Sequence, residues 1–305
     1  MTPRAVYYER DDCVTFLSFA INWVQFATRM RTKSAAADSF PADAVGVRHA
    51  PAGPDARIVS LVPSVTELLF ALGLGANVVG RTAFCIHPKP AVRKVKSLGG
   101  TKKIDFAKLR VANPTHVVVN VDENPKGMVD EIAATGAEIV VTHPIEVEDN
   151  VALYRLLGAI FGRADEAEAL VATFESALAD VDRCAAALPE RNVLYLIWKE
   201  PSMTVSADTY IARMLARIRW RTMGHDPKRR YPEVALDETL LAGADLILLS
   251  SEPFPFKQHH VAELAERFPA HAAKFRTIDG GLVSWYGSRA IEGLRYLADL
   301  AKSPI

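Results

Sequence analysis

The sequence predicts an α/β protein of two Rossmann-like lobes with parallel sheets, joined by a long rigid interlobe helix. Strand-type and helix-type segments alternate at short spacing in residues 57–145 and again in 189–305, with no strand signal in 146–188 between them. Such alternation is typical of parallel sheets, because a crossover helix must separate two parallel strands. We therefore predict an N-terminal extension and linker (1–56), a first lobe (57–145), a helical crossing (146–188) and a second lobe (189–305).

The composition is that of an ordinary globular protein. The 305 residues are 50% hydrophobic, and 36 basic residues balance 36 acidic ones. No overall electrostatic field attracts such a chain to nucleic acid, and we interpret the charges as interspersed rather than gathered into a basic stripe. The three cysteines are far apart, and Cys85 with His87 makes a poor metal site. We expect no nucleic-acid partner and no metal.

The N-terminal segment 14–30 ("VTFLSFAINWVQFATRM") is the candidate targeting sequence. Asn22 and Gln25 interrupt its apolar stretch, so it is too short and too polar to span a membrane. Its flanking charges reverse the order of a secretory signal, with acidic residues before it and basic residues after it. We interpret the segment as an amphipathic appendage or as an upstream extension from a misplaced start, rather than as a working signal. Residues 31–56, rich in Ala, Pro, Asp and Gly, are interpreted as a linker.

The first lobe opens with the strand "RIVSLV" and a helix directly after Pro63. Ser64 and Glu67, three residues apart, predict a capping box for that helix. Gly73 or Gly75 predicts its end, and "NVVGRT" is the next strand. The lobe continues with a helix capped by Asp105, then with the strand "THVVVNV", the helix "PKGMVDEIAATG" and the strand "AEIVVTHP".

The crossing reads as two helices, the second capped by Asp165 with Glu168 in the box position. The second lobe then shows strands "NVLYLIW", "DLILLSS" and "KFRTIDG" among the helices "DTYIARMLARIRW", "LDETLLAGA", "HVAELAERF" and "RAIEGLRYLADLA". Residues 104–126 and 236–257 share one order: acidic cap, short helix, small-residue break, apolar strand, acidic residue and proline. Two similar lobes predict a ligand cleft between them.

The loops that follow the strands are rich in aromatic side chains. Parallel strands direct such loops to one sheet edge, where ligands bind. Aromatic faces there supply apolar contact, and polar groups among them fix a ligand's orientation. No GxSxG, Walker or HExxH motif is present, so we expect a binding protein and not an enzyme. The aromatic residues are Phe84, Trp198, Phe254, Phe256, Trp285 and Tyr286, and Arg81, Lys199, Glu252 and Arg289 lie among them.

With these residues in view, the sequence resembles the vitamin B12-binding proteins of ABC-type importers, within the helical-backbone metal receptor superfamily of substrate-binding proteins. The resemblance covers about residues 57–301. It is carried by "RIVSLVPSVTELLFALGLGANVVGRTAFCIHP", "KSLGGTKKIDFAKLRVANPTHVVVN" and "LVSWYGSRAIEGLRYLADL", which follow the family's order. It implies two α/β lobes bridged by a long helix, with a ligand held between the lobes.

The resemblance also implies a ligand, a set of ligand-facing residues and a partner. The implied ligand is cobalamin. We expect it to lie between Phe84 and Trp198 or Trp285, with helix amino ends near Ser64 and Ser288 at its polar rim. The implied partner is an ABC permease with its ATPase, on which the protein docks through a carboxylate on each lobe. The implied compartment is the periplasm or cell envelope, and we expect the protein to be a monomer. The ligand-facing positions implied are Ser64, Phe84, Trp198, Trp285 and Tyr286, with Arg81 and Arg289 beside them.

The docking carboxylates follow the family pattern in one lobe only. In the second lobe the carboxylate is Glu238 in "LDETLL". In the first lobe the expected glutamate is replaced by Ala107 in "DFAKL", next to Lys108. A two-point electrostatic dock would therefore lose one contact here.

Two alternatives keep the fold and change the function. One is a binder of haem or a ferric siderophore, whose anionic groups would favour clustered cations. Only Arg81, Lys199 and Arg289 are expected in the cleft, which favours the corrinoid. The other is a cytosolic corrinoid-handling protein or enzyme, since a fold does not determine a function.

Overall fold

The computed structural model describes residues 39–224, 226 and 228–302, and the segment 14–30 lies outside them. Two four-stranded sheets form the two lobes, and no described helix is long and apolar enough to cross a bilayer. The strands of the first sheet are β1 (Ile58–Ser60), β2 (Val78–Arg81), β3 (His116–Asn120) and β4 (Glu138–Thr142). Those of the second are β5 (Arg191–Leu196), β6 (Trp220–Thr222), β7 (Leu246–Ser250) and β8 (Phe275–Ile278).

Helices cover the sheets and connect the lobes. Those of the first lobe are α1 (Pro63–Ala71), α2 (Phe106–Ala112) and α3 (Lys126–Ala133). The crossing consists of α4 (Asp149–Ile160) and α5 (Ala164–Ala185). The second lobe carries α6 (Tyr210–Ala216), α7 (Glu238–Gly243), α8 (Gln258–Arg267), α9 (Gly280–Ser284) and α10 (Arg289–Lys302).

The two sheets have the same topology. Their strand orders are β2-β1-β3-β4 and β6-β5-β7-β8, and all neighbouring strands are parallel. The weak repeat in the sequence is thus a repeat of architecture. The predicted fold class, two parallel α/β lobes, is confirmed.

The helical crossing belongs to a core that both lobes share. Helix α5 packs against α4 on one side and against α10 of the second lobe on the other. One apolar cluster contains Leu68 of α1, Tyr154 of α4, Phe174 of α5 and Leu294 of α10, all of them fully buried. Because the core is continuous, the lobes are held together by packing and not only by a covalent linker.

Two predicted helix caps are wrong. Helix α1 begins at Pro63 with Val62 before it, and its first turn has no side-chain cap. Proline fixes the backbone for a first helical turn and lacks the N–H that a cap would satisfy, so no capping box is needed there. Helix α5 begins at Ala164, so Asp165 lies inside its first turn and not at its cap.

The freed acidic residues pair elsewhere. Glu67 forms an ion pair with Arg289, and Glu168 forms one with Arg155. By contrast, the acidic caps predicted for α2 and α7 are confirmed. Asp105 accepts hydrogen bonds from two backbone N–H groups of α2, and Asp237 accepts one from α7.

Two elements of the second lobe differ from the prediction. The helix expected to run to Trp220 ends at Ala216, and Trp220–Thr222 forms the edge strand β6. A strand of three residues is too short to show the alternation of apolar and polar side chains that identifies a strand, so the sequence did not separate it from the apolar helix before it. The short helix α9, capped by Asp279, occupies what the sequence presented as a loop after β8.

The predicted linker is folded in its described part, 39–56. The Asp43 carboxylate accepts a hydrogen bond from the Val141 N–H (3.0 Å), and the Ala44 N–H donates to the Val141 carbonyl (3.0 Å). His49 is fully buried, with its ring nitrogens 3.1 Å from Asp43 and 2.6 Å from Glu138. This strap (residues 40–50) covers β4, which would otherwise be an open sheet edge.

Candidate functional site: the cleft between the lobes

The loops at the carboxyl ends of the strands meet across the interlobe seam. The Tyr286 hydroxyl donates a hydrogen bond to the Glu123 carboxylate of the first lobe (3.0 Å). Arg230 of the second lobe pairs with Asp122. Arg289 donates two hydrogen bonds to Glu67 of α1, at 2.8 and 2.7 Å. The two sheet edges therefore face each other, as expected for a clamshell whose ligand lies between the lobes.

Trp285 lies at the centre of one cluster in this seam. Its indole N–H donates to the Glu252 carboxylate (2.8 Å), and the Arg289 guanidinium lies over its ring, 5.1 Å from the centroid. The His87 ring from the first lobe contacts it edge-on at a centroid distance of 5.8 Å. Burial raises the pKa of Glu252, although the indole N–H opposes the shift. Trp285 is thus held in one orientation by both lobes.

Trp198 belongs to a second aromatic cluster, built entirely by the second lobe. Its ring contacts Phe254 edge-on at 5.7 Å, and Phe254 lies 4.6 Å from Phe256. Trp198 is partly exposed and Phe256 is buried, so the cluster anchors Trp198 from beneath. The neighbouring Lys199 forms an ion pair with Glu263 of α8 (2.9 Å).

Phe84 is the most open of the predicted ligand-facing residues. Its side chain is 44% exposed in the loop after β2, next to Ile86, which is 42% exposed. Arg81, at the end of β2, instead turns back into its own lobe. Its guanidinium donates to the backbone carbonyls of Val92 and Thr82, both at 2.9 Å. Arg81 therefore holds the loop that carries Phe84.

Ser64 and Tyr286 form the floor of the seam. Both are buried, and the Ser64 hydroxyl makes no hydrogen bond of good geometry within the described residues. Burial raises the pKa of Tyr286 well above its usual range, and it raises that of Glu123 to about 7, although the Tyr286 hydroxyl opposes the latter shift. The floor therefore carries a carboxyl group, that of Glu123, which is about half protonated at neutral pH.

A charged cluster lies beside this floor. Burial alone would raise the pKa of Asp122, but His143 and Arg230 outweigh it and lower that pKa. Arg230 also donates to the backbone carbonyl of Asp208. Asp122 therefore stays ionised and holds Arg230 of the opposite lobe.

Gly287 fixes the approach of the second lobe to α1. Its N–H donates to Asn150 (2.6 Å), and its carbonyl accepts from the Tyr154 hydroxyl (2.9 Å). Its φ is +79°, and a Cβ atom here would lie 3.2 Å from the Ser64 carbonyl oxygen. Only glycine combines this left-handed conformation with so close a contact.

The structure brings together most of the residues that the sequence singled out. Ser64, Glu252, Trp285, Tyr286 and Arg289 meet in the seam, and Trp198 and Lys199 lie in the adjacent cluster. Phe84 lies at the exposed rim, and Arg81 supports it.

Sequence reasoning missed five residues that complete the seam. Two of them, Asp122 and Glu123, could have been found, because they form the acidic pair just after strand β3. The missed residues are Glu67, His87, Asp122, Glu123 and Arg230.

The two predicted docking positions lie on helices at the lobe surfaces. Glu238 begins α7, and its carboxylate lies 2.9 Å from the His271 ring nitrogen. Its side chain remains 67% exposed. Ala107 is exposed in the first turn of α2, beside Lys108.

This geometry defines a two-lobe binding protein, and comparison with known proteins supplies the family. The model of the periplasmic binding protein family matches residues 58–270, well over half of the chain, so the protein belongs to that family. It is a family of binding proteins and not of enzymes. A vitamin B12-binding protein of Photorhabdus laumondii is 22% identical over 194 residues, which cover 64% of this chain and 70% of that protein. One of Yersinia pestis is 23% identical over 201 residues, 66% of this chain and 71% of that protein.

Solved structures confirm the fold. The periplasmic vitamin B12 binding protein BtuF of Vibrio cholerae superimposes with a TM-score of 0.71 at 17% identity, covering 82% of this chain and 99% of that one. The periplasmic heme-binding protein RhuT from Roseiflexus sp. RS-1 gives 0.70 at 21% identity, with 81% and 98% covered. At this level of identity the comparison shows a shared architecture only. The two solved structures are named for different ligands, vitamin B12 and heme.

Proposed function

We propose that this protein is a substrate-binding protein that holds a corrinoid, most simply cobalamin, between its two lobes. It would deliver that ligand to an ABC permease with its ATPase in the periplasm or cell envelope. Phe84, Trp198 and Trp285 would supply the aromatic contact to the corrin ring. The relatives named as vitamin B12-binding proteins support this proposal.

The observation that carries the choice of ligand is that all three cations predicted for the cleft have partners within the protein. Arg81 donates to backbone carbonyls, Lys199 pairs with Glu263, and Arg289 pairs with Glu67. A polyanionic ferric siderophore would need such cations unpaired, because removing them from a carboxylate costs free energy. A ligand that is decorated with amides needs hydrogen-bond partners instead, which the Glu252 and Glu123 carboxyls and the Tyr286 hydroxyl offer.

Haem is the second candidate. His259 and His260 lie in the first turn of α8, with their Nε2 atoms 3.1 Å apart. The His260 ring packs on Phe254 and Phe256 at centroid distances of 5.4 and 5.5 Å. An imidazole next to an aromatic cluster could ligate a haem iron. The heme-binding structural relative supports the same possibility.

The test is a titration of the full chain with cyanocobalamin and, separately, with hemin and a ferric catecholate siderophore. Tryptophan fluorescence and visible absorption would report binding, and competition would rank the three ligands. We expect saturable binding of cyanocobalamin that hemin displaces only weakly. Tight hemin binding that is lost in His260→Ala would instead assign the cleft to haem.

Two controls sharpen the result. Trp220→Phe removes an indole that is buried in the second lobe, away from the cleft loops, and should leave the affinity unchanged. A corrinoid spectrum that keeps changing after binding is complete would point to the alternative of a cytosolic corrinoid-handling protein or enzyme. No response to any of the three ligands would overturn the proposal.

Docking is proposed to use Glu238, which His271 orients. The first lobe offers Ala107 where the family's second carboxylate is expected, so we propose that its contact with the permease has a different chemistry. We also propose that the protein is a monomer.

A further inference from the structure

One side of the first lobe carries a concentration of positive charge that the overall balance conceals. Between residues 84 and 111 there are eight basic residues and a single acidic one, although the whole chain has equal numbers of each. All eight side chains are exposed. The expectation of interspersed charge is therefore wrong for this stretch. We call it the basic face: Lys89, Arg93, Lys94, Lys96, Lys102, Lys103, Lys108 and Arg110.

The fold gathers this stretch onto one edge of the sheet. After β2 the chain forms a 3-10 turn (Ala91–Lys94) and then returns beside β2, where the Leu98 N–H donates to the Arg81 carbonyl (2.8 Å). Helix α2 follows and packs against β2. The basic face thus lies along the β2 side of the lobe, and Phe84 of the cleft rim stands at the start of the same stretch.

Little of this charge is neutralised inside the protein. Lys108 pairs with the one acidic residue, Asp105, at 3.4 Å, and Lys102 donates to the backbone carbonyl of Asp122. Among the described residues no carboxylate lies within ion-pair distance of Arg93, Lys94 or Lys96. An external anionic surface would therefore meet this charge directly.

Exposed apolar side chains share the same face. Phe84, Ile86 and Val111 are the exposed large apolar residues of the described chain, at 44%, 42% and 76%, and all three lie in this stretch. Apolar side chains among lysines and arginines form the pattern of a surface that adsorbs to lipid headgroups.

We propose that the basic face binds anionic phospholipid bilayers and turns the cleft rim of the first lobe toward the membrane. Six of its eight charges are lysines, a residue that is depleted in protein–protein interfaces and suits the diffuse charge of a headgroup layer. This inference goes beyond the proposed function and does not depend on which ligand the cleft holds. Each lysine near an anionic bilayer adds to the attraction, and dissolved salt screens it.

The experiment is co-sedimentation of the full chain with extruded vesicles of phosphatidylcholine alone or mixed with phosphatidylglycerol. We expect binding to the mixed vesicles only, and its loss as salt is raised. The variant Lys89→Glu, Lys94→Glu, Lys96→Glu, Lys103→Glu should bind at least tenfold more weakly. The matched control Lys228→Glu, Arg276→Glu, Arg295→Glu, Lys302→Glu makes the same change of charge on exposed residues elsewhere and should lose much less.

Each other outcome overturns the proposal. Equal binding to neutral vesicles, or equal losses in the two quadruple variants, would show that the face has no specific role. Vesicle binding that the first variant leaves intact would assign adsorption to another part of the chain. If that variant binds cyanocobalamin or hemin more weakly while the parent ignores vesicles, the face serves the ligand instead. Circular dichroism of both variants verifies folding, and ligand titration of the parent tests the proposed function separately.

Discussion

Glu123 shows how a single carboxyl group can make the interlobe seam sensitive to pH. It is enclosed between the lobes, accepts the Tyr286 hydroxyl and lies next to the ionised Asp122, while Lys102 on its own lobe partly offsets that charge. Its pKa in the folded protein is about 7, against an ordinary value of 4.5. The unfolded chain therefore releases this proton at lower pH than the folded one does.

This shift predicts that Glu123 reduces stability as the pH rises from 4.5 to 7. The loss should be on the order of 2 kcal/mol, allowing for partial solvent screening. Glu123→Gln cannot ionise, so urea unfolding at pH 5 and pH 8 should show a smaller pH dependence than that of the parent protein. Glu131→Gln, an exposed carboxyl on α3, is the matched control and should follow the parent. An unchanged pH dependence in Glu123→Gln would contradict the assignment.

Trp285 is the side chain on which the ligand proposal depends most directly. Because Glu252, Arg289 and His87 hold its ring in place, little ordering is needed when a ligand stacks on it. We expect Trp285→Ala to weaken cobalamin binding by about 1 to 3 kcal/mol, as for a buried aromatic anchor. Fluorescence or absorption titration would measure this, with Trp220→Phe as the control. An affinity equal to that of the parent would remove Trp285 from the site.

At the scale of elements, the strap of residues 40–50 is a part of the first lobe that composition alone presents as a linker. Burial by itself would lower the pKa of His49, but its hydrogen bonds to Asp43 and Glu138 outweigh that effect and raise the pKa to about 9. The partner carboxyl responds in the opposite direction, since hydrogen bonds from His116 and His49 lower the pKa of Glu138 to about 2. The strap is thus held by an ionic cluster in which His49 and Asp43 are buried and Glu138 is partly exposed.

The strap should therefore stabilise the lobe in a pH window set by His49. Its folded-state pKa lies above the ordinary value of 6.5, so its contribution is complete below pH 6.5 and is lost as the pH rises through 9. His49→Gln should lower the free energy of unfolding by on the order of 2 kcal/mol at pH 6 and by less at pH 9.5. Urea unfolding checks this, with the exposed His259→Gln as control. A His49→Gln deficit that is independent of pH would show that only packing was lost.

At the scale of the whole molecule, the seam limits how far the lobes can move. A shared apolar core and the Glu67–Arg289 and Asp122–Arg230 pairs join the lobes. Gly287 also hydrogen-bonds the second lobe to helix α4 of the crossing. A bridge made of packed helices has no loop hinge to absorb large backbone rotations. Ligand binding should therefore change the shape of the protein only slightly.

Small-angle X-ray scattering tests this expectation. The radius of gyration should agree within error between the free protein and the protein saturated with ligand. Gly287→Ala adds a Cβ atom 3.2 Å from the Ser64 carbonyl at a φ of +79°, so it should separate the lobes and enlarge the free form. The control Gly127→Ala, where a Cβ atom would meet nothing within 4 Å, should not. A clear contraction of the parent protein on binding would instead indicate a hinged clamshell.

The sequence by itself determined the two α/β lobes, their repeated order and the helical crossing, because period, caps and loop composition are local signals. It also located the aromatic loops, since parallel strands direct them to one edge. Only the tertiary structure decided how Glu67, Asp122, Glu123 and Arg230 pair across the seam. It likewise decided that the strap covers β4. These features are contacts between residues that lie far apart in the sequence, and no local sequence pattern predicts such contacts.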